Sequence, residues 1–336
     1  MNCREQSIAG RVMSIMHSLL LVLLLTLLLA GCAGRRAMVA EEQQTIVAGT
    51  AAVAPEVFAL SPSFVLQGTQ ARHNKIGRVE ASRIQSREVI SINTDRPVIY
   101  AGSRPFSTSK GTYINLVYRI HFPETPFSLV PFYLGAGKNV GLLVLLTLDA
   151  QQRLILVTTA NTCGCYAVSI PTEYTPASLY PEGWPDSPLS VYGEQLPAKL
   201  PSPHDHETIQ VVVRADVHRV MDLRVIAKDT VPLATARPAE VTDLDALKTL
   251  PLGDGTVTSL YYEKLPLKGH VKGAIKPWET VLLSLVSLDF FVGMDKEYGD
   301  TQESGNPFYT SLKPWNRSAS DMNDFAAYLR FNGWQL

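Results

Sequence analysis

The folded part of the chain is patterned as sheet first and helix last. Stretches rich in Val, Ile, Leu, Thr and Tyr, bounded by turn-forming residues, predict strands at 88–93, 97–100, 113–122, 140–149, 154–159 and 166–170. Leu142 to Leu148 and Leu154 to Val157 flank Asp149-Ala150-Gln151-Gln152-Arg153, which fits a hairpin with a loop of four or five residues. These two runs are continuously apolar rather than alternating, so both faces of their strands should be covered. Between Pro171 and Pro203 stand eight prolines with Tyr174, Tyr180, Trp184 and Tyr192. A long loop is expected there, since proline interrupts helices and central strands alike. Its aromatic content suits a packed cover or a contact surface. Sheet resumes at 208–215 and 223–228.

Helical patterning follows. A short segment is expected at 241–250, and a longer one from Pro277, which suits the first turn of a helix, to about Val292. Val281, Leu282, Leu285, Leu288 and Val292 lie on one side of that helix and Leu283, Val286 and Phe290 on another, the signature of a buried helix. The last helix is marked by Ser318 followed by Asp321, an acidic variant of a capping box, by the stripe Met322, Phe325, Ala326 and Leu329, and by Gly333 at its end. Strands first and helices last predict an α+β fold, β-rich in its N-terminal and central parts with C-terminal helices packed on the sheet.

The first 31 residues follow a different pattern. Arg4 and Arg11 precede an apolar run from Leu19 to Leu29, broken only by Thr26, and Ala30, Gly31 and Cys32 close it. This is the arrangement of a signal peptide, and about eleven residues fall short of the roughly 20 needed to span a bilayer. Leu29-Ala30-Gly31-Cys32 resembles the lipobox of bacterial lipoproteins. The resemblance implies cleavage before Cys32, and diacylglycerol and an N-acyl chain such as palmitate on that cysteine. With Ala33 next, it implies an outer-membrane lipid anchor facing the periplasm. Several acyl chains on one residue make such an attachment stable. The expected organisation is therefore a signal peptide at 1–31, a lipidated tether of small polar residues at 32–55, and one globular domain at 56–336 with the Pro/aromatic-rich loop at 171–203.

Composition narrows the partners. Losing Arg4, Arg11 and Glu5 from totals of 30 basic and 31 acidic residues leaves 28 and 30. This near-neutral balance lacks the basic face that nucleic-acid binding requires. The membrane, through the anchor, and an envelope protein or small ligand are the expected partners. At 46% hydrophobic residues, the chain can stabilise a large core without a disulfide framework.

Candidate chemistry is sparse. Four cysteines are present, and with Cys3 in the leader and Cys32 lipidated, Cys163 and Cys165 remain as a pair in an oxidising compartment. In an extended strand they would lie about 6.6 Å apart, too far for a disulfide, so a bond requires a turn at Gly164. The pair could serve as a structural disulfide, as a redox couple or as thiolate ligands for Cu(I) or Zn. His204 and His206 are two apart and would add to a metal site if a third ligand joined them. No cofactor is predicted beyond the covalent lipid. Ser107-Thr108-Ser109-Lys110 has the Ser-x-x-Lys spacing of penicillin-recognising enzymes but lacks the following helix and the partner motifs. Gly135 to Asn139 departs from a phosphate loop at Phe132 and Asn139. Arg119, His121, Glu124 and Lys138 are single charged groups near strand ends, read as structural. Asn161 to Tyr166, Phe308 to Trp315 and Phe331 to Trp334 resemble segments of uncharacterised proteobacterial envelope proteins, a resemblance that implies no activity.

Overall fold

The computed structural model describes residues 44–51, 60–230 and 236–336. The signal peptide, the lipobox with Cys32, and Ala33 lie outside them. The fold is α+β, dominated by one ten-stranded sheet. In chain order the strands are β1 (Gln44–Ala51), β2 (Ser63–Gln67), β3 (Arg78–Ile84), β4 (Arg87–Asn93), β5 (Val98–Thr108), β6 (Gly111–Thr125), β7 (Gly137–Leu148), β8 (Leu154–Asn161) and β9 (Val168–Pro171). They continue with β10 (Leu189–Val191), β11 (Glu194–Leu196), β12 (Glu207–Val213), β13 (Val220–Ala227), β14 (Arg237–Asp243), β15 (Leu250–Pro251) and β16 (Val257–Thr258). Helices are α1 (Pro277–Ser287), α2 (Thr301–Ser304) and α3 (Phe325–Phe331).

The large sheet runs β13-β12-β2-β1-β14-β5-β6-β7-β8-β9. Strands β5 to β9 form an antiparallel meander, as short connections favour. Beyond β5 the order interleaves early and late segments. β14 lies parallel between β5 and β1, and β2 joins β1 antiparallel and β12 parallel. Strands β7 and β8 are buried along nearly their whole length, with the covered faces their apolar runs predict. Leu142, Val144 and Leu146 point into one core, and Leu143 and Leu145 into the other. The second core is closed by the β3–β4 hairpin and by C-terminal residues including Phe308, Phe325, Tyr328 and Trp334.

The sheet is strongly curled. In its strand order β6 and β12 are five places apart, about 24 Å if the sheet were flat. Yet Phe122 on β6 stacks on His218, in the turn joining β12 to β13, with ring centroids 4.0 Å apart. The first core therefore gathers residues from both halves of the sheet. Its lower end is drawn together like one end of a barrel.

Several expectations are corrected. The stretch read as a tether, 32–55, contains β1, which sits inside the sheet. Thr45, Ile46 and Val47 favour extended backbone, and ladder hydrogen bonds on both sides hold a strand too small-residued to show a hydrophobic pattern. The helix from Pro277 ends at Ser287 rather than near Val292 and is not buried: Ser287 is its only buried residue, and none of its side chains joins either core. At 241–250, β14 runs to Asp243 and only a 3-10 turn, Leu244–Lys248, follows. The last helix begins at Phe325 with Asp324 as its cap, while Asp321 instead accepts from the Phe308 and Asn323 amides.

Candidate functional site

Cys163, Gly164 and Cys165 follow the end of β8, and the two cysteines form a disulfide with Cα atoms 5.6 Å apart. The turn that closes this ring is set by Gly164, whose φ is +92°. A Cβ there would overlap the Tyr309 carbonyl oxygen, so glycine is required both for its backbone and for its missing side chain. With their sulfurs joined, the cysteines offer no thiolates to a metal in this state. His204 and His206 stack on one another 6.0 Å apart in an exposed turn before β12. Among the described residues, no group of three or more His, Cys, Asp or Glu is placed to hold a metal ion.

The disulfide ring forms part of the wall of a pocket of about 180 Å³. This pocket lies at the drawn-together end of the sheet, where β6 ends at Thr125, the first stretch of β7 presents Val140, β8 ends at Asn161, and the β12–β13 turn brings in Val217 and Arg219. Tyr133, Leu134, Leu283 of α1 and Leu312 make much of the lining apolar. Both cysteines line the pocket, Cys165 half-buried and Cys163 buried.

Buried charge braces this wall from behind. Lys296 donates from Nζ to the carbonyls of Cys163 (2.9 Å) and Met294 (3.0 Å), and lies 4.4 Å from the Tyr309 ring centre. Burial is the main cause that pulls its ammonium down to about 8, with the charge of nearby Asp289 acting in the opposite direction. Asp295, also buried, pairs with Lys276 at 3.1 Å and accepts from the Thr162 hydroxyl and the Gly141 amide. Beside Tyr166, Glu194 of β11 holds Arg214 at 2.5 Å and Arg219, a lining residue, at 2.6 Å. Burial raises the Glu194 carboxyl, but the hydrogen bonds from the two guanidiniums outweigh it and hold the group below its ordinary value. Arg219 also lies over Tyr166, which packs edge-on against Tyr192.

The β12–β13 turn is fixed by a second polar set. Asp216 accepts from Tyr133 (3.1 Å) and pairs with His73 (3.0 Å), while Asn74 accepts from the Asp216 amide at 2.7 Å and lies 3.2 Å from His218 Nε2. Burial holds His218 down to about 3, so it is neutral near pH 7.

Two buried polar atoms of lining residues have no hydrogen-bond partner among the described residues, Asn161 Oδ1 and Glu279 Oε2. Glu279 stands on the first turn of α1. A buried carboxylate oxygen without a donor is costly, and this one is packed against Gly293, where no side chain would fit.

Of the four aromatics proposed as a contact loop, Tyr192 lines the pocket, and Tyr174 is exposed beneath Arg153. Tyr180 and Trp184 instead pack on Trp334, and Trp184 donates to the Ala198 carbonyl at 2.9 Å. They staple the loop to the C-terminus. Compared with known proteins, no family model matches the chain, and neither a curated protein nor a solved structure matches it. Arg119 and His121, read as structural, are fully buried, joined at 2.9 Å and set behind Lys296 through its carbonyl. Sequence reading missed Lys276, Glu279, Asp295 and Lys296. They fall in segments with no catalytic spacing, and only the fold brings them to Cys163.

Proposed function

We propose that the chain is a lipid-anchored protein of the cell envelope, held through acylated Cys32 on the inner face of the outer membrane, that binds a small ligand in the pocket beside the 163–165 ring. The chemistry of the pocket suits a largely apolar molecule carrying a polar group for the charged part of the lining, Arg219, Lys276 and Glu279. The observation that carries this reading is the pocket itself: concave, with a mostly apolar surface, and with the charged side chains of Arg219, Lys276 and Glu279 in its lining. In this reading the disulfide is a structural clamp on the wall. The same ring supports a redox reading on one observation, the half-buried position of Cys165 in the pocket.

Two measurements on protein taken from the envelope test the proposal. Chloroform–methanol extraction should release an organic molecule from the wild type and none from Leu283→Trp, which fills the pocket. Radiolabelled palmitate should enter the wild type but not Cys32→Ala. Equal extracts from both proteins would contradict the pocket, and equal labelling would contradict the anchor. For the redox reading, thiols are titrated before and after mild reduction. A ring that stays closed while the ligand is retained counts against it.

A further inference from the structure

Helix α1 is apolar and largely uncovered. Val281, Leu285 and Val286 are exposed, Leu285 by 80%, and Leu288 and Phe290 beyond its end are exposed too. Its only acidic residue, Glu279, turns inward to the pocket. Trp278 stacks with Phe127 of the segment after β6, where Leu129 and Val130 are also exposed. At the other end of the helix, Arg317 donates to the Ser287 carbonyl and sets the 3-10 turn that carries Trp315, 78% exposed. Leucine 288 closes the helix in the left-handed region, φ +50°, where glycine is favoured, yet a bulky apolar side chain is displayed there. A continuous apolar surface of this kind marks an interaction site.

The route of the chain indicates what covers it. Gln44, the first residue of β1, pairs with Gln67 at the end of β2. Gly68 follows, packed near Ala215 at the start of the β12–β13 turn that delivers Val217 to the pocket. Phe127 stands two residues after Thr125, another pocket residue. The N-terminal segment therefore enters at the same end of the sheet as the pocket and the apolar surface. Only eleven residues, 33–43, separate Cys32 from β1, a reach of at most about 40 Å.

We infer that α1, the 127–130 segment and Trp315 dock onto the lipid surface that holds the anchor, so that the pocket opens toward the bilayer. This rests on the anchored reading above. Among the described residues no helix is long and apolar enough to cross a membrane, so α1 lies on the surface, its aromatic rings at the headgroup level and its aliphatic groups in the acyl boundary.

The test uses the processed protein purified from membranes and placed in phosphatidylethanolamine–phosphatidylglycerol vesicles with brominated acyl chains, which quench tryptophan on contact. Two of the four tryptophans, Trp278 and Trp315, reach the lipid in this arrangement, so about a third to a half of the emission should be lost. The loss should vanish in Trp278→Phe/Trp315→Phe and fall severalfold in Leu285→Ser/Leu288→Ser, while the near-ultraviolet dichroism of the internal Trp184–Trp334 pair reports that each variant is folded. The mass of the N-terminal peptide, read on the same sample, reports the anchor separately. Acylated Cys32 without quenching overturns the docking and leaves the anchor standing. Quenching without acylation upholds the docking face and overturns the anchor, and neither signal overturns both. A sedimenting dimer that leaves Trp278 unquenched overturns the lipid in favour of a second copy of the chain.

Discussion

At the scale of single residues, the candidate site depends on Gly164. Alanine there must adopt φ +92° and overlap the Tyr309 carbonyl, so Gly164→Ala should cost about 3 kcal/mol or more in urea unfolding and hinder closure of the disulfide. Removing the disulfide itself should cost less, about 1–2 kcal/mol, since a three-residue ring restrains the unfolded chain little. A Gly164→Ala protein of wild-type stability would show that the ring is not clamped against Tyr309. The sequence predicted the need for a turn at Gly164 from strand geometry alone. It did not show the reason for glycine in particular, because the carbonyl it accommodates lies 145 positions along the chain. Lys296 and Asp295 were illegible for the same reason: their roles come from contacts with Cys163 and Thr162 across the fold.

Among the elements, the meander and the β12–β13 pair were legible, while β1, β2, β3 and β14 were not. β7 and β8 in the meander carry long β-branched and leucine runs because both their faces are covered. β1 and β3 carry small or polar residues and owe their conformation to backbone pairing, which leaves no periodic trace. Helix α1 misled in the opposite direction, since apolar residues all round imply burial only when the partner surface belongs to the same chain. The β10–β11 hairpin is tied to the β12–β13 turn by Glu194 between Arg214 and Arg219. Glu194→Gln leaves two buried guanidiniums sharing a neutral partner, and should destabilise by about 3–5 kcal/mol. Hydrogen exchange of 189–196 should accelerate with it, and unchanged protection there would place the hairpin's support elsewhere.

For the whole molecule, acid sensitivity follows from histidines buried in neutral form. Burial lowers His218 to about 3 and, with a contribution from Lys296, lowers His270 to about 4, while burial and Arg119 push His121 well below its ordinary value. The unfolded chain binds these protons at about pH 6.5, so stability is complete above that pH and declines as pH falls toward 4. Each histidine should remove roughly 1.4 kcal/mol per pH unit in that window. Urea midpoints at pH 7, 6 and 5 should therefore fall progressively, and a flat profile would mean that the histidines are solvated. The curl that buries His218 against Phe122 also draws the strand ends together around the pocket. Fold stability and the proposed binding site thus share one construction.

The central claim, a lipid-anchored body with a ligand in the pocket at its anchored end, is tested most directly by native mass spectrometry of the intact protein released from envelopes in mild detergent. The account predicts the chain from Cys32 to Leu336 carrying acylated glycerol on Cys32, plus one further organic mass that is absent from Leu283→Trp. A spectrum showing the same mass increment beyond the chain for both proteins would contradict the pocket, and a chain without acyl groups would contradict the anchor.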